Sequence, residues 1–132
     1  MSEYVVNSEY SGEPWGIENG TQSYTFMADE DKGKGPNPVE YLAGAVNSCI
    51  SISAAMLAQH RKLDVHNFKI KNTAHTRKLG LGKSDVDTMK LEISFDTNMN
   101  EVEKAKFIKR TLEVSTVYQT VSKAVDIEIE IL

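Results

Sequence analysis

The sequence predicts an α+β fold in one domain over residues 1–132, with elements in the order β-β-α-β-β-α-α-β. Three observations predict it. The hydrophobic period changes from about two to about 3.6 and back along the chain. One long segment, residues 38–61, is apolar on nearly every side. The closing stretch DIEIEIL alternates strictly, with Ile127, Ile129 and Ile131 on one face and Glu128 and Glu130 on the other.

Composition allows such a fold without staples. The chain is 40% hydrophobic and 26% charged, and a 132-residue domain buries enough surface to support a core. Its single cysteine, Cys49, excludes an intramolecular disulfide, and a reduced, cytoplasmic setting is the default. Fifteen Lys and Arg against nineteen Asp and Glu give a net charge of −4, so no phosphate backbone is expected as partner. The N-terminus MSEYVVNSEY lacks a signal-peptide pattern, and no continuous apolar run reaches membrane-spanning length, so no membrane partner is expected.

The first strand is expected over Glu3–Tyr10, which carries Tyr4, Val5, Val6 and Tyr10, and the second over Thr21–Ala28 with Tyr24, Phe26 and Met27. Gly12, Pro14, Gly16, Asn19 and Gly20 mark a hairpin loop between them, with Trp15 and Ile17 folding back onto the sheet. Asp29–Asn37 reads DEDKGKGPN, a flexible polar connection; it lacks the Lys-Ser/Thr of a phosphate-binding loop. A helix then starts at Pro38 behind the cap Asn37 and ends near Arg61, with Leu42, Val46, Cys49, Ser53, Met56 and Leu57 at helical spacing. Ala43, Gly44, Ala45, Ile50, Ile52, Ala54 and Ala55 leave it no broad charged side. At 1.5 Å per residue the helix is about 36 Å long, too long for so small a chain to enclose alone, so a homodimer is expected.

Val65–Lys78 and Val86–Asp96 are expected to pair as a hairpin around LGLGKSD, the second strand facing inward with Met89, Leu91, Ile93 and Phe95. Asn100 caps a helix ending near Val114, whose apolar stripe is Val102, Ala105, Phe107, Ile108 and Leu112. A short helix over Thr116–Ala124, capped by Ser115, points Val117, Tyr118 and Val121 inward, and the final strand follows.

Two residues are candidates for chemistry. Cys49 lies in the middle of the apolar helix; it serves either as a small packed hydrophobe or, where a cation or helix N-terminus favours the thiolate, as a nucleophile. It is too far from its own helix's terminus to use that dipole. Glu40 lies in the first turn, where a carboxylate suits the helix dipole, and nine residues at 100° each place it on the face opposite Cys49. His60, His66 and His75 match no metal-ligand spacing, and Ser48, Ser51 and Ser53 form no Gly-x-Ser-x-Gly elbow. No cofactor and no metal are therefore expected.

The segment GPNPVEYLAGAVNSCISISAAMLAQHRKLDV resembles the OsmC-like family, which includes the organic hydroperoxide resistance proteins. Gly35 to Pro38 matches the family's Gly-x-x-Pro entry, Glu40 to Leu42 its Glu-x-Leu-like element, and Cys49 its helix-borne cysteine. The resemblance implies an intertwined homodimer with two sheets wrapping paired central helices. In active relatives that cysteine attacks a hydroperoxide, becomes a sulfenic acid and is resolved by a second cysteine near the start of a later helix. Here Ser115 stands at that second position, so resolution falls to an external thiol. The early Arg of the hydroperoxide resistance branch has no counterpart, the first Arg being Arg61, and the branch's catalytic Glu position is Val39. Two functions remain open: a one-Cys hydroperoxide reductase using Cys49, with Glu40 in support, or a non-catalytic homodimer that binds a small apolar molecule at its interface.

Overall fold

The computed structural model describes residues 1–12 and 14–132; Glu13, inside the predicted first loop, lies outside the described residues. The chain packs as two compact units, Met1–Leu42 and Ala43–Leu132.

Among the described residues the first unit holds three short strands where two are expected. β1 (Asn7–Tyr10), β2 (Ile17–Gly20) and β3 (Thr25–Ala28) form an antiparallel sheet in that order. Residues 17–20, expected in a loop, are its central strand. Asn19-Gly20 has the composition of a turn, but the reversal falls at Thr21–Tyr24, where the Thr21 hydroxyl accepts the Tyr24 N–H at 3.0 Å. Asn19 is thereby free to join its neighbours, accepting from the Ser8 hydroxyl at 2.6 Å and donating to the Phe26 carbonyl at 3.4 Å. Residues 3–6 do not join the sheet, and Trp15 does not fold back, being 63% exposed.

The connection after β3 is pinned rather than loose. Asp29 is buried, and its carboxylate accepts the N–H groups of Glu30 at 2.7 Å and Lys34 at 3.0 Å. Gly33 lies against the Asp29 carboxylate and Gly35 against the Met27 carbonyl, each too close for a Cβ. The Tyr41 hydroxyl donates to the Met27 carbonyl, and its ring packs on Phe26 at a centroid distance of 5.3 Å.

α1 runs over Pro38–Arg61, as the caps predict. It is long and apolar enough to cross a membrane by length and composition, a test that the core helix of a globular protein also passes. In the second unit its buried side chains are Val46, Ile50, Ala54 and Ala58, a spacing of four. This corrects the predicted stripe. Cys49, Ser53 and Leu57 flank it half-buried, whereas Ile52 and Met56 stay 60% and 65% exposed. Within one chain this part of α1 is therefore covered along one side only.

β4 (His66–Gly80) and β5 (Lys83–Asp96) form the long antiparallel hairpin, and β6 (Asp126–Ile131) adds to β5 in parallel. Met89, Leu91, Ile93 and Phe95 of β5 are buried, with Asp85 and Asp87 further out fixing Arg77. α2 (Glu101–Glu113) carries a full capping box, Asn100 accepting the Glu103 N–H at 2.9 Å and Glu103 accepting the Asn100 N–H at 3.2 Å. Its buried residues are Phe107, Ile108 and Thr111. Val102 and Ala105, expected in the stripe, face out because the inward row runs through Lys104, Phe107, Ile108 and Thr111. The Lys104 stem is buried while its ammonium sits 5.5 Å from the Phe95 ring centroid. α3 (Thr116–Val121) is shorter than predicted, ending at Ser122.

A candidate thiol site

Cys49 is half-buried on α1, and its sulfur accepts a hydrogen bond from the Val117 N–H at 3.4 Å. The donor comes from the first turn of α3, where backbone N–H groups have no carbonyl four residues back to bond. The thiol thus meets a helix start after all, belonging to another helix than its own. A thiolate is a stronger acceptor for such an N–H than a thiol.

What delivers Val117 to the sulfur is the break between α2 and α3. Ser115 is fully buried, and its hydroxyl donates to the Thr111 carbonyl at 2.7 Å. Thr111, equally buried, donates in turn to the Phe107 carbonyl at 2.8 Å. The expected side-chain cap from Ser115 is not made; its backbone is extended at φ −91°, and its carbonyl accepts the Gln119 N–H at 2.9 Å. The hydroxyl is spent backwards on α2 because burial there leaves the Thr111 carbonyl as its partner.

Elsewhere on α1 an amide pair ties the helix to the sheet. Asn72 of β4 donates to the Asn47 side-chain oxygen at 3.1 Å, and its own oxygen is buried with no protein partner. Further along the helix from Cys49 lies an open apolar groove of about 350 Å³ lined by Ser53, Met56, Leu57, His60 and Val114.

Glu40 is occupied elsewhere. Its carboxylate accepts the Asn37 N–H at 2.9 Å while the Asn37 side chain accepts the Glu40 N–H at 2.8 Å, a reciprocal cap on α1 in the first unit. Of the histidines, His66 pairs with Asp64 at 2.9 Å, and among the described residues no three His, Cys, Asp or Glu side chains are grouped as a metal site. The Val117 N–H, the Thr111–Ser115 chain and the groove are invisible to motif reading, since they depend on a backbone donor and on long-range packing. Only the four-residue spacing of Phe107, Thr111 and Ser115 hints at them.

Among the described residues, two three-stranded sheets and a 24-residue helix bearing one half-buried thiol make this a mixed α+β protein. A family model described as OsmC-like protein matches residues 31–130, and the chain belongs to the OsmC-like family. Its fold is similar to that of an OsmC-like protein from Mycoplasma pneumoniae, with a TM-score of 0.88 at 14% identity over 99% of this chain and 96% of that one. An organic hydroperoxide resistance protein from Legionella pneumophila superposes with a TM-score of 0.77 at 13% identity, covering 99% and 97%. Another, OhrB of Bacillus subtilis, superposes with a TM-score of 0.75 at 12% identity, covering 99% and 98%. No curated protein matches the sequence.

Proposed function

We propose that the protein is a thiol-dependent organic hydroperoxide reductase of the one-Cys type, working as a cytoplasmic homodimer. The observation that carries this reading is the hydrogen bond from the Val117 N–H to the Cys49 sulfur, which ties the half-buried thiol to the start of α3. The Cys49 thiolate attacks the outer peroxide oxygen, the O–O bond breaks, and the alcohol leaves with a proton, giving a sulfenic acid. Two external thiols then return it to the thiol, releasing water and their own disulfide. Ser115, buried and bonded to Thr111, offers no sulfur to resolve it internally. Glu40 keeps the start of α1 in place and has no part in proton transfer that its cap bonds support. The bared side of α1, with Ile52 and Met56, is the surface the second copy covers.

The test is steady-state consumption of an organic hydroperoxide with a dithiol present. Wild type turns over and Cys49→Ala does not; equal rates in the two proteins defeat the proposal. The apolar groove at Ser53, Met56, Leu57, His60 and Val114 supports a second reading, a non-catalytic dimer holding a small apolar molecule. Under it an apolar fluorescent probe binds equally to wild type and Cys49→Ala, and neither consumes hydroperoxide.

A further inference from the structure

The outer end of the β4–β5 hairpin, from Thr76 to Asp85, is exposed on both faces. Its two-residue loop, Leu81-Gly82, has φ of 54° and 76°, positive at both positions, as in a type I′ turn. Such a turn favours Asn or Gly at its first position, and a leucine there is strained. Yet Leu81 is 97% exposed, so no packing offsets the strain, and Leu79 beside it is 52% exposed. Lys78, Lys83 and Ser84 line a cleft of about 390 Å³ with Gly80 and Gly82 at the same tip. Just inside, Arg77 is held by Asp85 at 2.9 Å and Asp87 at 3.4 Å, which offsets the acidic residues nearest the tip. The end of the hairpin is thus cationic and apolar, on a chain whose net charge is −4.

We propose that this tip is a docking point for an anionic lipid surface, Leu79 and Leu81 entering the headgroup boundary and Lys78 and Lys83 contacting lipid phosphates. Exposed leucines flanked by lysines with long flexible stems suit the edge between acyl chains and charged headgroups. The remainder of the chain, more acidic than the whole, is repelled by an anionic surface and orients the hairpin toward it. Attachment is weak, reversible and strongly salt-dependent.

The experiment is flotation of the intact protein with vesicles of phosphatidylcholine alone or with phosphatidylglycerol added, at low and at high salt. Binding is expected only with phosphatidylglycerol and low salt, falling roughly fivefold for each of Lys78→Gln and Lys83→Gln. Leu81→Asn is the decisive variant, since it suits the turn better and leaves the fold intact while removing the apolar apex. It should float several-fold less while melting no lower than wild type. Equal flotation of Leu81→Asn, no flotation of wild type, or a change in oligomeric state on Leu81→Asn, which would mean a second copy covers the tip, each overturns the proposal. The readout does not depend on hydroperoxide activity.

Discussion

Replacing Ile52 and Met56 together by lysine tests whether a second copy covers α1. In one chain these side chains are 60% and 65% exposed, so the double variant should change the stability of the isolated chain little. In the proposed dimer the second copy would bury the same surface. Full burial of such a side chain is worth roughly 1.5–3 kcal/mol, and about six-tenths of that remains to be gained at each position, or about 1–2 kcal/mol. A twofold interface presents each residue twice, so about 4–7 kcal/mol of association rests on the pair before the cost of burying the new ammonium groups is counted. Since about 1.4 kcal/mol is a tenfold change, the dimer dissociation constant should rise by roughly three to five orders of magnitude. Sedimentation velocity across a micromolar concentration series reads this directly. A wild type that sediments as a monomer throughout, or a variant that remains dimeric with an unchanged constant, rules out this face as the dimer interface.

Three other outcomes follow from particular contacts. Ile50→Ala, which empties a fully buried position on α1, should cost about 2–5 kcal/mol in urea unfolding; a loss below about 1 kcal/mol would mean that the site is not packed as described. Asn100→Ala removes one half of the α2 capping box and should cost about 1 kcal/mol by the same measurement, with no change in hydroperoxide turnover. Ser115→Cys places a thiol two residues before the N–H that touches Cys49; under the proposed chemistry one equivalent of hydroperoxide should then yield an intramolecular disulfide, seen by mass spectrometry as the loss of two hydrogens, and a persistent free thiol at position 115 contradicts it.

Most of the fold is legible in the sequence because its strongest signals are local. Asn37-Pro38 and the basic residues His60-Arg61 bound α1 at the residues observed, and the Ile-Glu alternation of β6 is the strand itself. The short N-terminal strands are harder to read, since Asn19-Gly20 has turn chemistry and only pairing with β1 and β3 makes it a strand. The buried row of α1 differs from the predicted stripe because an all-apolar helix has no polar face to fix its rotation, and packing selects Val46, Ile50, Ala54 and Ala58. At the site, Cys49 and the serine at position 115 are legible as residues. Their surroundings are not: a backbone N–H from α3 and a hydroxyl bonded to Thr111 leave no mark in residue identity.

Whether Cys49 is a nucleophile toward hydroperoxide is tested most directly by trapping. The folded protein is treated with one equivalent of an organic hydroperoxide in the presence of a sulfenic-acid-specific dione, and the product is read by mass spectrometry. A single adduct on Cys49, formed faster in the folded protein than in the urea-unfolded chain, is the expected result. An unmodified Cys49, or an adduct that forms no faster than in the unfolded chain, contradicts it.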